Sequence, residues 1–541
     1  MLFLGLIVFA FSSPSNDRYF QIVKNLDIFA TLFKEVNAYY VDEVNPNTLM
    51  KTGIDAMLEN LDPYTTYIGE DEIEDYLTIT TGEYGGIGAV VDRKGGINTI
   101  VLPYEGYSAH RAGLKIGDQI LKINDVELAG KPSDQINKLL KGQSNSAIKL
   151  TIKRYKQEET FDVELQREKI TVNNVPFSGM VGADIAYIRL SDFTTKAGAE
   201  VGAALKDLKE KGATKVILDL RGNPGGLLEE AINVSNVFIP RGLEVVSTRG
   251  KLDAWTKTYR SLNNPVDTEI PVAVLTDNGS ASASEIVSGV IQDYDRGVLI
   301  GRRTYGKGLV QQTRPLAYNS QLKVTTAKYY IPSGRCIQAI DYSNRNPDGS
   351  VGKIPDSLKV EFKTRNGRLV YDGGGLDPDL AIASSKYAPI TYSLMRKDLI
   401  FDFVTEFTYG KLEDSFDPKT YRLSDSEYNQ FMEWVDKKEY DYTTKVERTI
   451  ESLIKTAKEE QNYEDIKDHI AELQKATLHN KEQDLVTFQK EIRALIEQEI
   501  AGRYQLQQGI IESTFEKDKD ILAAIEILND QDKYQSLLAG N

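Results

Sequence analysis

Four short apolar runs, at residues 185–190, 216–220, 272–275 and 298–300, are separated by stretches in which apolar residues recur at helical spacing. Strands buried on both faces read as such continuous runs, and their alternation with helices predicts an α/β core around a largely parallel sheet. This texture begins near Glu168. Upstream, the glycine-punctuated run Gly85-Gly86-Ile87-Gly88 leads into Ala89-Val90-Val91 and short β patterns at 99–102, 119–123 and 148–153, a small β-rich module. Earlier still, the spacing of Tyr19, Ile22, Val23, Leu26, Phe29, Leu32, Phe33, Val36 and Tyr40 predicts an amphipathic helix, and a second helix over 48–61 stops at Asp62-Pro63. Past Asp379 the chain turns helical and acidic. Residues 401–541 hold four of the 41 glycines, one of the 17 prolines, and 31 acidic against 18 basic residues, which is 13 of the 15 net negative charges. The expected organisation is an N-terminal segment 1–16, a helical region 17–82, the β-rich module 83–167, the α/β core 168–384 and an acidic helical region 385–541. The last carries no recognisable motif and reads as a solvated helical scaffold, with bracing of the core, a dimer contact or partner docking as the alternatives.

A net charge of −15 with no basic tract excludes nucleic acid as a main partner, because phosphate binding needs clustered Lys and Arg. The single cysteine, Cys336, rules out an intrachain disulfide and any Cys-cluster zinc site, and is expected to be a small buried residue. Residues 1–11 are apolar and are followed by Ser12, Ser13 and Pro14, too short to span a bilayer but suited to a secretory signal or the remnant of a membrane anchor.

The three histidines, His110, His469 and His479, all lie outside the α/β core, so a Ser-His-Asp triad cannot be built from the core's own residues, and neither can a His-ligated metal site. A nucleophile there needs another base. Three segments carry candidate chemistry. Asn278-Gly279-Ser280-Ala281-Ser282-Ala283-Ser284-Glu285 joins a strand to a helical stretch, where free N–H groups and positive potential favour reactive groups. It lacks a Gly-x-Ser-x-Gly elbow, and its bland reading is a helix cap. Thr304-Tyr305-Gly306-Lys307-Gly308-Leu309-Val310-Gln311 sets a lysine between glycines, which lets backbone pack close and desolvate the amine. A lysine base working near neutrality needs its ammonium form destabilised by roughly 4 kcal/mol. Asp219-Leu220-Arg221-Gly222-Asn223-Pro224-Gly225-Gly226-Leu227 again follows a strand, and its glycines expose N–H groups suited to an oxyanion hole or a phosphate cradle, although no P-loop lysine follows.

In this order the three segments resemble the C-terminal processing peptidases, or tail-specific proteases, of the S41 serine peptidase family, over roughly residues 20–380. The family places its nucleophile inside Ser-Ala-Ser-Ala-Ser-Glu, its base in a Gly-Lys-Gly stretch 25 residues on, and a Gln four residues further; Ser282, Lys307 and Gln311 fit both spacings. The resemblance implies that Ser282 is the nucleophile, Lys307 the general base and Gln311 the group that orients the lysine. It implies the N–H groups of Gly226 and Ala283 as oxyanion donors, Ser280 and Ser284 as structural, and Glu285 as structural or as support for the site. Tyr84-Gly85-Gly86-Ile87-Gly88-Ala89 is similar to the carboxylate-binding loop of a PDZ domain, and residues 108–124 resemble that domain's later signature. Gly86, Ile87, Gly88 and Ala89 would then receive a chain-terminal carboxylate while the peptide adds to a sheet edge.

The implied architecture is an α/β multidomain protein: a ClpP/crotonase-like protease core, an inserted PDZ domain and helical regions at both ends. The implied activity is endoproteolysis by a Ser/Lys dyad after capture of a substrate's C-terminal tail, with no metal and no cofactor. An inactive PDZ-containing scaffold and a crotonase-like acyl-CoA enzyme are the rival readings, the first opposed by the intact Ser282, Lys307 and Gln311. Further expected partners are an adaptor protein, a second copy of the chain, and a membrane at the N-terminal segment, in a protein exported to the bacterial periplasm or cell envelope.

Overall fold

The computed structural model describes residues 14–346, 348–384, 386–411, 416–440, 442–477 and 481–540. The apolar start at residues 1–11 lies outside the described residues. Among the described residues no helix is long and apolar enough to cross a membrane. The chain divides into two units, one of residues 1–70 with 311–325 and one of residues 71–310 with 326–541.

In the first unit the two expected helices form, Pro14–Tyr39 and Pro46–Glu59. Asn45 caps the second, its Oδ1 accepting from the N–H groups of Asn47 (3.0 Å) and Thr48 (3.2 Å), with Pro46 at the first helical position where its missing N–H costs nothing. Asp62 closes the following turn by accepting from the N–H groups of Tyr64 and Thr65. Strand Thr66–Ile68 then pairs antiparallel with Gln321–Lys323.

The second unit holds the β-rich module, the α/β core and the helical C-terminal region. Strands Glu83–Gly86 and Glu168–Thr171 pair antiparallel, so the chain enters and leaves the module along one two-stranded neck. Its sheet runs in the order Ala89–Lys94, Ile97–Pro103, Gln119–Ile123, Ala147–Lys153, Phe161–Gln166, all antiparallel. Ile148, Leu150 and Ile152 alternate inward, as a half-buried strand requires, and helix Ser133–Leu140 adds Ile136 and Leu140 to the same small core. Ala89–Lys94 is an edge strand of this sheet.

The core sheet runs Phe177–Val181, Ile185–Arg189, Lys215–Asp219, Val272–Thr276, Val298–Gly301, Leu380–Ala381, with only the first pair antiparallel. Along Lys215–Asp219 the side chains of Val216 and Leu218 enter one buried layer with helices Ala197–Glu210, Leu228–Phe238 and Ala283–Asp293. Ile217 enters the other. That second layer is completed by Ile521, Ala524, Ile527 and Leu528 of helix Lys519–Asn529 and by Tyr534 and Leu538 of helix Gln531–Ala539.

The expectation of a solvated C-terminal scaffold is therefore corrected. A parallel sheet has two apolar faces, the crossover helices cover one, and the last two helices of the acidic region cover the other. The described residues between 390 and 500 include a core of their own, with Leu394, Phe403, Phe431, Ile492 and Ile496. Ile521→Ala should accordingly lower unfolding stability by about 2–5 kcal/mol, whereas Leu522→Ala, on the exposed side of the same helix, should change it by less than about 0.5 kcal/mol; denaturant midpoints of the two variants check this.

Candidate active site

The three sequence segments fall at the C-terminal ends of adjacent parallel strands, where this architecture gathers chemistry. Strand Val272–Thr276 ends in a tight turn organised by Asp277, whose Oδ1 accepts from the N–H groups of Gly279 (2.9 Å) and Ser280 (3.2 Å) and, across the gap, of Gly222 (2.8 Å). Ser280 is fully buried and donates to the Leu220 carbonyl at 2.8 Å; Ser284, also buried, donates to the Asn223 carbonyl at 2.9 Å. Both hydroxyls are spent on backbone. Ser282 differs: it is the one residue from 280 to 293 that is not buried. It sits at φ 54°, ψ −112°, a conformation costly for a residue with a Cβ, immediately before helix Ala283–Asp293. A strained serine at a strand-to-helix turn is thus present without the glycines of an elbow motif.

The glycine turn packs directly on this serine. Asn223, fully buried, donates through Nδ2 to the Leu190 carbonyl (2.8 Å), accepts from the Gly225 N–H at Oδ1 (2.9 Å) and accepts from the Ala281 N–H at its carbonyl (3.0 Å). Gly225 has φ +94°, and a methyl group there would lie 2.8 Å from both Ser282 Cβ and Ala283 N. A methyl group on Gly226 would collide with the Phe193 carbonyl. The neighbouring N–H groups are occupied, Gly225 by Asn223 and Leu227 by Phe193, whereas among the described residues those of Gly226 and Ala283 donate to no protein acceptor. Ala283 follows Ser282 and Gly226 follows Gly225, which packs on that serine, so two N–H groups without a protein acceptor among the described residues lie close to it.

The lysine loop is tied to the same place. Gly306 and Gly308 flank half-buried Lys307 and are themselves buried. A methyl group on Gly306 would collide with Ala339, and one on Gly308 would lie 2.8 Å from the Gln338 N, so only glycines allow the close backbone approach. Glu285 makes the connection. Its Oε1 accepts from the Thr304 hydroxyl (2.6 Å) and the Gly306 N–H (2.8 Å); its Oε2 accepts from the N–H groups of Ser282 (2.9 Å) and Lys307 (2.8 Å). Burial pushes this carboxyl above its ordinary range, and the four donors pull it back. The Tyr329 hydroxyl adds a second clasp, lying within hydrogen-bond reach of the carbonyls of Ser282 and Lys307. Nothing in the sequence pattern singled out Tyr329, because it comes from a distant strand.

Beneath the glycine turn Asp219 is wholly buried, bonded to Arg221 (2.7 Å), Arg189 (2.8 Å) and the Tyr187 hydroxyl (2.6 Å). Burial opposes its charge, but Arg221 and Arg189 hold it below the usual carboxylate range. Arg221 continues to Asp518 (2.7 Å) and Asp520 (3.0 Å), fastening the C-terminal helices to the base of the site.

Gln311 belongs to the first unit, where its Nε2 donates to the Thr325 hydroxyl at 3.1 Å. Ile87 and Gly88 form a two-residue turn between Gly86, the last residue of the neck strand, and Ala89, the first of the edge strand. Gly88 has φ +72°, and the Ile87 and Gly88 carbonyls accept from the N–H groups of Ala109 (2.9 Å) and Tyr104 (2.8 Å). His110 accepts from the Gly106 N–H within the module, apart from the serine and lysine segments. Cys336 is half-buried, and burial pushes its thiol up, away from a nucleophile's range. Among the described residues no three His, Cys, Asp or Glu side chains converge as metal ligands would.

Comparison with known proteins identifies the family. Residues 184–348 match peptidase family S41, residues 99–154 match the PDZ domain, and residues 390–528 match the C-terminal helical domain of probable PDZ-proteases. A carboxy-terminal-processing protease of Bartonella bacilliformis is 37% identical over 340 residues, 62% of this chain and 77% of that protein. A probable CtpA-like serine protease of Staphylococcus aureus is 34% identical over 318 residues, 58% of this chain and 62% of that protein. Among solved structures, a photosystem II D1 C-terminal processing protease is similar over 65% of this chain and 92% of its own, at 24% identity and a TM-score of 0.35. The chain belongs to the carboxy-terminal-processing serine proteases of peptidase family S41 and carries a PDZ domain.

Proposed function

We propose that this protein captures the free C-terminal tail of a protein substrate in its PDZ domain and cuts the chain upstream with a Ser282/Lys307 dyad. Lys307 takes the hydroxyl proton of Ser282 as Oγ attacks the scissile carbonyl. The N–H groups of Gly226 and Ala283 receive the oxyanion. The proton then passes from Lys307 to the leaving amine, and water, deprotonated in turn by Lys307, resolves the acyl-enzyme. Gln311 takes the role of orienting the lysine by its place in the motif. The observation that carries this reading is the four-donor clasp of Glu285, which holds the serine turn and the lysine loop to one carboxyl group.

Tail capture is supported by the module's edge strand Ala89–Lys94, which follows the Ile87-Gly88 turn and lies beside helix Ser133–Leu140. An extended peptide can add to such an edge with its terminal carboxylate on the turn's N–H groups. Export to the periplasm or cell envelope, with membrane contact at the start of the chain, is supported by the apolar residues 1–11. An adaptor protein and a second copy of the chain complete the partners this reading allows.

Ser282→Ala and Lys307→Ala should each reduce cleavage of an unstructured polypeptide by on the order of 10⁴-fold or more while binding of a free-tailed peptide persists. An active Lys307→Ala protein would overturn the dyad. The wild-type protein should cut a polypeptide with a free apolar C-terminus faster than its amidated twin; equal rates would remove tail selection from the account. Glu285→Gln puts an amide donor against N–H donors. It should cost about 1–3 kcal/mol of stability. Displacement of the two loops should also lower kcat by roughly 10²-fold, measurable in the same assay.

A further inference from the structure

Three donors reach the Ser282 carbonyl. The N–H groups of Glu285 (2.9 Å) and Ile286 (3.0 Å), in helix Ala283–Asp293, both donate to it, and the Tyr329 hydroxyl lies 3.1 Å away. A carbonyl oxygen has two lone pairs, so the helix alone satisfies it. The phenol is a further donor, carried by another strand and only 2% exposed.

Tyr329 is fixed at several points. Its backbone pairs with Thr248 on a neighbouring strand and donates to the Gly308 carbonyl (3.0 Å), and its hydroxyl also contacts the Lys307 carbonyl. The Gly308 N–H donates in turn to Gln338 Oε1 (2.7 Å). The phenol is thus bound to the lysine loop, and one hydroxyl, with one proton to give, bridges the carbonyls of Ser282 and Lys307 in a three-centre arrangement. Glu285 Oε2 bridges the N–H groups of the same two residues. Each is therefore clasped at both of its backbone groups.

The chemical consequence lies at the far end of one peptide unit. In a trans peptide the C=O and the N–H point in opposite directions on a single resonant group, so a donor on the Ser282 carbonyl directs and polarises the Ala283 N–H. That N–H donates to no protein acceptor among the described residues and is one of the two donors that the mechanism above assigns to the oxyanion.

We propose that Tyr329 is a positioning residue for acyl transfer: through the Ser282–Ala283 peptide unit it aims and strengthens the Ala283 N–H as an oxyanion donor, without itself touching the substrate. The inference rests on the serine protease reading above and extends its oxyanion hole to a side chain 47 residues from the serine.

The test compares wild-type protein with Tyr329→Phe, which keeps the ring and removes the hydroxyl. An activated ester of a short peptide, isotope-labelled at its acyl carbonyl, is mixed with each protein, and the acylation rate and the infrared stretching frequency of the acyl-enzyme carbonyl are recorded. The expected result is acylation about tenfold slower with KM retained, and a stretch at higher frequency, because a weaker N–H donor draws less electron density to the oxygen. A ring-fluorinated tyrosine at position 329, a stronger donor of almost the same size, should move the stretch to lower frequency. That variant also decides the matter if Tyr329→Phe does not fold, which its Tm reports. An unchanged stretch would overturn the proposal even where acylation slows, since displacement of the lysine loop alone impairs proton transfer and leaves the carbonyl's donors in place. Wild-type protein that never forms an acyl-enzyme would overturn the protease reading itself, and the proposal with it.

Discussion

One buried carboxyl group, that of Glu285, sets the geometry on which the site depends. It accepts N–H donors from Ser282, Gly306 and Lys307 and the hydroxyl of Thr304, so one side chain fixes both the strained serine turn and the glycine-flanked lysine loop. A buried carboxyl group is costly unless its oxygens are satisfied, and here the satisfying groups are the two loops that must meet. The donors that make burial of Glu285 tolerable are the ones that hold the serine turn and the lysine loop together. The positive φ of Ser282 is held in the same way, by the helix that follows it, by Glu285 at its N–H and by Tyr329 near its carbonyl.

Around this point the chain solves a larger packing problem. The parallel core sheet has two apolar faces. Three crossover helices cover the first, and the second waits until residues 519–539, near the end of the chain, to be closed. The fully buried Asp219 links these events, because Arg221 reaches from it to Asp518 and Asp520 at the start of the closing helix. Two acidic residues of the region, Asp518 and Asp520, thus pair with the cations at the base of the glycine turn. Arg302 takes part as well, 3.2 Å from Asp520.

Much of this was legible in the sequence. The apolar runs at 216–220 and 272–275 became central parallel strands, and Ser280 and Ser284, structural residues by the family resemblance, are buried on either side of the partly exposed Ser282. The glycines around Lys307 are required by close backbone approach, as the pattern implied. Other features were not readable, for physical reasons. The part played by Tyr329 depends on a strand 47 residues from Ser282. The closure of the sheet by the C-terminal helices is a long-range match between apolar faces that periodicity cannot pair. The break in helix Gln489–Glu512 at Gln505 and Leu506 lies inside a segment whose pattern is helical on both sides.

The most direct measurement is to trap the covalent intermediate. An activated ester of a short peptide is mixed with the protein, quenched in acid during the first turnover, and the acylated residue located by peptide mass mapping. The account predicts a single acyl group on Ser282. An acyl group on Ser280 or Ser284, or steady release of product with no acylated protein at any time, would contradict it.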